Sequence, residues 1–355
     1  MMVCFPETLA AAGAANPKEG CVMRKTMRTK WMVLAVLAGV LVLGLSPMVG
    51  AETTLKLAFI APPPVWGPFA DKYAEEVQKL APDLTIKSFG GGQLGPLQKN
   101  FAEMKMGKLD LMLCDSGVIS MPDGGKPFNV IFAPYAFSSQ THIRKFFNSD
   151  LFAGLMADTE EKAGLKYVGW VSDRSPRLIT TSKRRVVKPD DMKGLKMRVP
   201  MTPPIIETMK AWGATPIPLS AAELYMAMKQ GTVDGQDNGF DAIYGAKYYE
   251  VQKYLSPINY IRSGLVILAS ASTWKKLSGE QQEALLQACK PTDEWASART
   301  REMVEKAKTG VVEKGMEILE PDVEAFRGIA VETITNKLDG ELWPEGLYER
   351  VRSMD

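Results

Sequence analysis

Apolar and polar positions alternate clearly in the segment GLKMRVP at residues 194–200. Apolar and basic side chains take turns there between a glycine and a proline, and this period of two predicts a strand. Arg198 then lies near the end of a strand, where an open α/β sheet places its ligand contacts. Its guanidinium matches a carboxylate or phosphate, so two interpretations stay open, an anion anchor or an ordinary surface arginine.

After residue 52 the chain first alternates strand and helix patterns. Apolar strand patterns at 54–61, 84–89 and 109–114 are separated by amphipathic helix patterns at 67–80 and 97–106. This β-α-β-α-β order predicts a doubly wound α/β lobe. The third strand is almost continuously apolar, as expected for a parallel strand that is covered on both faces.

Strand patterns return late in the chain, and a helical region follows them. Segments 165–171 and 177–182 are predicted to be strands, and sheet resumes at 258–270. A late return of this kind is typical of two lobes built from discontinuous segments. From 279 to 314 the pattern is helical, and Pro291 within it predicts a kink or a break.

The N-terminal segment has the pattern of a leader that is removed. A basic stretch at 27–30 precedes an almost continuous apolar run at 31–45, and small residues end at Ala51. This order predicts a secretory signal cleaved after Ala51 and a mature protein in the periplasm, with an uncleaved anchor as the alternative. Residues 1–26 carry no obvious pattern, and the predicted fold begins at residue 52.

Charge and cysteine content narrow the possible functions. The chain has 43 basic and 41 acidic side chains, of which 5 and 2 lie in the leader, so the remainder carries a formal charge of −1. Nucleic acid and anionic membranes favour concentrated positive charge, and neither is an expected partner. Cys114 and Cys289 are expected to be buried free thiols, with a single disulfide as the alternative.

Candidate catalytic and metal-binding residues are few. His142 is the sole histidine, no clustered ligand spacing accompanies the two cysteines, and no serine lies in a G-x-S-x-G turn. We therefore expect no metal, no cofactor and no catalytic residue, and a hard-cation site of oxygen ligands stays open as the alternative. The chain is interpreted as a recognition protein rather than an enzyme.

A glycine-rich turn at Gly90–Gly95 satisfies G-x-G-x-x-G between a strand and a helix, and Asp115 follows at a later strand end. This pattern would suit an exported oxidoreductase that binds a dinucleotide. Pro96, however, removes a backbone donor near the expected pyrophosphate, and the leader lacks a twin-arginine pair. The favoured interpretation is a structural turn, and the oxidoreductase is the alternative.

Three polar features favour recognition. Arg177 enters a predicted strand, and Arg198 lies near the end of another. Residues 231–239 combine turn-forming residues with amide side chains. We interpret this segment as a loop that presents hydrogen-bond donors and acceptors.

Several short motifs, in one order along the chain, resemble the solute-binding proteins of TRAP transporters, of the DctP type. In sequence order they are GQLG (92–95), GKLDL (107–111), GLKMRVP (194–200), WGATP (212–216), ELY (223–225), GTVDGQD (231–237) and YEV (249–251). The match covers essentially the whole chain after the leader. Its specificity comes from the order of many motifs, because any single one would be weak.

The resemblance implies an α/β, two-lobed periplasmic solute-binding protein fold with discontinuous lobes. Lobe I would comprise 52–174 and about 264–304, and lobe II would comprise 175–263 and about 305–355. One long helix would span both lobes, for which 279–314 is the candidate. The two lobes would close on a ligand between them.

The resemblance also implies a set of binding residues. Arg198 would pair with the carboxylate of the ligand, Arg177 would be a second arginine of the site, and Asn238 would supply an amide. Asp115, with Ser116, would be the polar group that ends the third strand of the first lobe.

Two tryptophans are candidates for the apolar part of the pocket. Trp66 stands at the entrance of the first predicted helix, and Trp170 lies at the end of a predicted strand. Large aromatic side chains serve equally well as pocket walls and as core, and both interpretations stay open for each.

The predicted function is an exported, non-enzymatic receptor that captures a small organic acid. It would act as a monomer and deliver the acid to the membrane permease subunits of a TRAP transporter. The rivals are the oxidoreductase described above and a solute-binding protein of an ABC transporter.

Overall fold

The fold is that of a computed structural model in which residues 52–355 are described. The predicted signal and its cleavage site lie outside the described residues. The strands are β1 (Thr53–Ala58), β2 (Leu84–Phe89), β3 (Leu111–Asp115), β4 (Leu165–Asp173), β5 (Arg177–Thr181), β6 (Lys196–Val199), β7 (Thr215–Pro218), β8 (Gly235–Asn238), β9 (Tyr254–Ile261), β10 (Gly264–Ser270) and β11 (Glu317–Ile318).

Helices connect and cover these strands. They are α1 (Pro63–Leu80), α2 (Leu97–Lys105), α3 (Gln140–Phe147), α4 (Asp150–Ala163), α5 (Pro203–Ala211), α6 (Ala221–Lys229), α7 (Phe240–Gly245), α8 (Ala271–Trp274), α9 (Gly279–Gln287), α10 (Cys289–Glu313), α11 (Val323–Thr333) and α12 (Leu347–Arg352). Shorter 3₁₀ and π segments are Ser116–Ser120, Lys126–Phe132, Pro189–Met192, Tyr248–Glu250 and Ile334–Leu338.

The first sheet has five strands in the order β2-β1-β3-β10-β4. β1 pairs in parallel with β2 and β3, and β10 runs antiparallel between β3 and β4. Every residue of β3 is buried, as a parallel strand covered on both faces requires. The predicted β-α-β-α-β order and the α/β class are confirmed.

The second sheet has six strands in the order β11-β9-β5-β8-β6-β7. Its strand β8 falls within residues 231–239, so the prediction of a loop there was wrong for that part. The polar side chains that suggested a loop are paired inside the sheet. Gln236 Nε2 donates to Thr180 Oγ1 at 2.8 Å, and Asp237 Oδ2 accepts from Arg177 Nε at 2.6 Å.

The described chain changes sheet at three places: at two short crossovers and through the helices that connect β10 to β11. It leaves the five-stranded sheet after Asp173 and returns after Ile261. The apolar run 258–270, expected as continuous sheet, is therefore two strands in different sheets, β9 and β10. These crossovers coincide with two of the predicted lobe boundaries, while the extent of each lobe stays a prediction.

The helical region 279–314 forms two helices, α9 and α10. The expected break occurs at Ala288, shortly before Pro291, which lies in the first turn of α10. A proline in a first turn removes no intrahelical hydrogen bond, and α10 therefore continues unbroken to Glu313. α10 packs on β4 and also on α7, so one helix contacts elements beside both sheets.

Both cysteines of the described chain are free and buried, which confirms the expectation for Cys114 and Cys289. Burial raises the pKa of the Cys289 thiol to about 12 and also raises that of Cys114. Within residues 52–355, no helix combines the length and the apolar character needed to cross a membrane.

Candidate functional site

Two connected cavities lie at the carboxyl ends of β1, β3, β6 and β8, between the two sheets. We call the cavity of about 100 Å³ the small chamber and the neighbouring one of about 400 Å³ the large chamber. The small chamber is lined by charged and amide side chains, among them Asp115, Arg177 and Asn238. Arg198 lines both chambers and stands at their border.

Arg198 is a buried guanidinium without a carboxylate partner. Its Nε and Nη2 donate to the carbonyl oxygen of Leu219 at 3.0 and 2.7 Å. Among residues 52–355, no carboxylate oxygen lies within 4.0 Å of its nitrogens. The pKa of Arg198 is lowered to about 10, mainly by burial; the charge of Asp237 opposes this shift and that of Arg177 adds to it. The remaining donors of its five N–H groups are available to an anion in the cleft.

Arg177, by contrast, is neutralised within the protein. Its Nε donates to Asp237 Oδ2 at 2.6 Å, and Tyr260 donates its hydroxyl to the same oxygen at 2.5 Å. Burial alone would lower the pKa of Arg177, but the Asp237 charge outweighs it and holds that pKa above its ordinary value. Burial likewise raises the pKa of Asp237, and Arg177 reverses this to a net lowering.

A third arginine, Arg174, lines the small chamber, and sequence reasoning missed it. It lies in the crossover between β4 and β5, and its Nη1 forms a very short ion pair with Asp115 Oδ2. Its guanidinium stands 5.5 Å from the centroid of the Trp66 ring, while its Nε is buried without a hydrogen-bond partner. The sequence feature that could have indicated Arg174 was its position as a basic residue between two predicted strands, close to Arg177.

Asp115 connects several parts of the cleft. Besides the ion pair with Arg174, its Oδ2 accepts a hydrogen bond from Ser263 Oγ at 3.0 Å. Its Oδ1 accepts one from the amide of Gly117 at 3.1 Å. Arg174 and Ser263 belong to the two short crossovers between the sheets, so one carboxylate contacts both.

The structure brings most of the predicted binding residues together. Trp66 and Asn238 line the small chamber with Asp115 and the two predicted arginines. Asn238 Nδ2 donates to Gln236 Oε1 at 2.8 Å, which fixes the orientation of its amide.

Two predicted residues lie elsewhere. Ser116 is fully buried and accepts a hydrogen bond from the amide of Gly264 at 3.2 Å. Trp170 packs against Phe147, at 4.9 Å between ring centroids, and covers Gly264. It lines a separate surface pocket with Arg144 rather than either chamber.

In the glycine-rich turn, the backbone N–H groups of three glycines are already hydrogen-bonded and are not available to a pyrophosphate. Gly91 N donates to the carbonyl of Ala61, and Gly92 N donates to that of Phe59. Gly95 N donates back into the turn itself, to Gly92 O. A Cβ at Gly90 would lie 2.3 Å from the Phe59 ring, so close packing accounts for this glycine. The structural interpretation of the turn stands, and the dinucleotide alternative has no support.

Comparison with known proteins matches residues 61–338 to the family model described as bacterial extracellular solute-binding protein, family 7, DctP. The chain belongs to this family. A solute-binding protein from Roseobacter denitrificans is 28% identical over 318 residues, covering 89% of this chain and 96% of that protein. The sialic acid-binding periplasmic protein SiaP of Vibrio cholerae is 27% identical and covers 81% of this chain and 89% of its own.

Solved structures agree with this assignment. A TRAP periplasmic solute-binding protein from Roseobacter denitrificans, with bound L-galactonate, superposes with a TM-score of 0.77 at 27% identity, covering 86% of this chain and 99% of that one. One from Polaromonas, bound to D-erythronate, gives 0.75 at 26% identity and covers 85% and 98%. The two-lobed solute-binding fold predicted from the sequence is confirmed.

The DctP family is a family of extracytoplasmic binding receptors, so this chain is a TRAP-type solute-binding receptor and is located in the periplasm. The functional class predicted from the sequence is confirmed. The ABC-transporter and oxidoreductase rivals have no support from these comparisons.

Proposed function

We propose that this receptor holds the carboxylate of its ligand on Arg198, in the small chamber, and that it performs no chemistry on the ligand. The observation that carries the proposal is the buried Arg198 guanidinium, which lacks a carboxylate within 4.0 Å among residues 52–355. A buried charge without a partner is costly, and an anion from outside is the partner that would relieve this cost.

The other two arginines support the anchor without competing with it. Arg177 is occupied by Asp237 and Arg174 by Asp115, so each keeps its position through an internal ion pair. They line the small chamber together with Arg198 and add positive potential there. Asn238, oriented by Gln236, supplies amide hydrogen-bonding capacity beside them.

Recognition would proceed by closure of the two lobes over the ligand. A ligand that bridges the lobes favours the closed state by its differential affinity for that state. The closed receptor would then deliver the acid, as a monomer, to the permease subunits of a TRAP transporter. The family membership and the TRAP-type relatives support this delivery step.

The test is calorimetric titration of the mature chain with small acids, each paired with its uncharged carboxamide. The acids should bind and the amides should not, because only the carboxylate neutralises Arg198. Arg198→Ala should weaken acid binding by roughly 30-fold or more, since truncating one partner of a desolvated charge pair costs about 2 to 5 kcal/mol.

A matched control is Arg185→Ala, which removes an exposed arginine that pairs with Glu317 and lines neither chamber. It should leave acid affinity unchanged. Equal affinity for the acid in the Arg198→Ala protein and the parent chain would disprove the anchor.

A further inference from the structure

The large chamber differs in character from the small one. Apart from Arg198 at the border, its walls are mainly apolar side chains: Ile60, Leu97, Val118, Met121, Pro200 and Leu219. They come from both sides of the cleft, because the first four lie near β1 to β3 and the last two near β6 and β7. A ligand anchored at Arg198 therefore has an apolar space of about 400 Å³ beside its carboxylate.

Most polar groups around this space are engaged or lie at its rim, and the buried Thr202, whose side chain makes no cap hydrogen bond, adds one hydroxyl to the wall. The amides of Gly91, Gly92 and Gly95, which line the chamber, all donate to backbone carbonyls. Gln98, at the exposed rim, donates to Met201 Sδ at 3.4 Å. A polyhydroxy ligand body would leave hydroxyl groups without partners against the apolar walls, and each such group carries a desolvation penalty.

The charges that line the two chambers also limit how many carboxylates the ligand can carry. Arg198 is the lining cation without an internal ion pair among the described residues, since Arg174 and Arg177 are each paired. Glu223 lines the large chamber, and its exposed carboxylate accepts hydrogen bonds from the amide and hydroxyl of Ser220. A second carboxylate on the ligand would meet this negative charge without a cation to balance it.

We propose that the ligand is a monocarboxylate with an apolar body, aliphatic or aromatic, whose carboxylate meets Arg198 and whose body fills the large chamber. This inference rests on the proposed function, because it takes Arg198 as the anchor. It selects against sugar acids and against dicarboxylates. Burial of the apolar body and exclusion of unpaired hydroxyls then determine which acid is captured.

The experiment is a calorimetric titration of the mature chain with four probes: 4-methylpentanoate, 3-phenylpropanoate, L-galactonate and glutarate. At least one of the two apolar acids should bind at least tenfold more tightly than L-galactonate and glutarate. Tighter binding of L-galactonate or glutarate, or no binding of either apolar acid, would overturn the inference.

Two variants examine the walls directly. Met121→Gln keeps the shape of a half-buried wall residue and adds an amide, and it should weaken binding of the apolar acids about tenfold. Met226→Gln is the control, because Met226 is exposed on α6 and lines neither chamber. If the apolar acids bind Met121→Gln and Met226→Gln with equal affinity, the proposed role of the large chamber is contradicted.

A third variant examines the charge. Glu223→Gln should improve glutarate binding severalfold while leaving the apolar acids nearly unchanged, because it removes the repulsion of a second carboxylate. No gain for glutarate would contradict the part assigned to Glu223.

Failure of this inference differs from failure of the anchor. If L-galactonate binds tightly and Arg198→Ala abolishes that binding, the anchor stands and the apolar body is wrong. If the apolar acids bind equally well to the parent chain and to Arg198→Ala, the proposed function itself is wrong.

Discussion

Three arginines line one small chamber, yet their electrostatic situations differ. Arg174 and Arg177 each form an ion pair with a buried carboxylate, whereas Arg198 has only a carbonyl oxygen to bond. The paired arginines hold the shape of the site. The unpaired one carries a cost in the empty receptor that a bound acid would remove.

This difference predicts opposite effects of two similar substitutions on the empty protein. Arg198→Met should raise the free energy of unfolding by about 1 kcal/mol, because it replaces an unpaired buried charge with an apolar side chain. Arg177→Met should lower it by about 3 to 5 kcal/mol, because Asp237 would remain buried without its partner. Urea unfolding of ligand-free protein measures both.

The gain from Arg198→Met should depend on pH in a definite direction. The folded-state pKa of Arg198, about 10, lies below the ordinary value for arginine, so its cost is fully present at neutral pH. As pH rises through about 10, the folded-state group loses its proton before the unfolded-state group does, and the difference between the two proteins should shrink. A difference that grows above pH 10 would contradict this reading of the site.

The sequence predicted several residues of the site, but it did not predict all of the side chains that accompany them. Arg198, Arg177 and Asn238 were each expected, and all three line the small chamber. Arg174 was missed because an arginine between two strands carries no periodic signal. Trp170 was placed among the pocket candidates, but the facing of its side chain depends on irregular pairing between β4 and β10, which a sequence pattern does not encode.

At the scale of elements, the strands with simple apolar patterns were the easy ones. The apolar patterns at 109–114 and 194–200 predicted β3 and β6, and most residues of both strands are buried. β8 was missed because its side chains are polar, and its place in the sheet depends on partners distant in sequence, such as Thr180 for Gln236. Helix α10 was anticipated, but its close packing against α7 involves one small residue that the helical pattern does not single out.

That residue is Gly310, and it yields a paired prediction. A Cβ at Gly310 would lie 2.4 Å from the Tyr244 ring of α7, so Gly310→Ala should destabilise the protein by about 1 to 3 kcal/mol through overpacking. Gly328→Ala, in the exposed face of α11 with no atom within 4 Å, should instead stabilise it by about 0.5 to 1 kcal/mol. Thermal unfolding of both variants compares the two effects, and equal shifts of one sign would contradict the role of Gly310.

At the scale of the whole described chain, the two crossovers between the sheets are the notable feature. Asp115 bonds to Arg174 in one crossover and to Ser263 in the other. Motion of one sheet relative to the other involves these two crossovers and the helical connection from β10 to β11. The carboxylate that holds them also lines the small chamber, so the site and the connections share a residue.

Asp115→Asn should therefore loosen both crossovers. It leaves Arg174 buried without a carboxylate partner of full charge, and we expect a loss of about 3 kcal/mol in the free energy of unfolding. Amide hydrogen exchange should accelerate at both crossovers, 174–176 and 262–264. The control is Asp123→Asn, which removes one partner of an exposed pair with Lys105 and should change stability by less than about 0.5 kcal/mol. Faster exchange at one crossover alone would contradict the shared role of Asp115.

The division of the cleft into two chambers has a consequence for sensor engineering. Arg198, the proposed anchor, belongs to strand β6, where changes would disturb a hydrogen-bonded ladder. Much of the large chamber's wall belongs to loops and helix starts, as with Ile60, Met121 and Leu219. The shape of the large chamber can therefore be changed by single substitutions at these wall positions. Such substitutions leave the hydrogen bonds between strands and the proposed carboxylate site at Arg198 unchanged. A library of variants with substitutions only at those wall positions is thus the most direct way to obtain sensors for other acids from this protein.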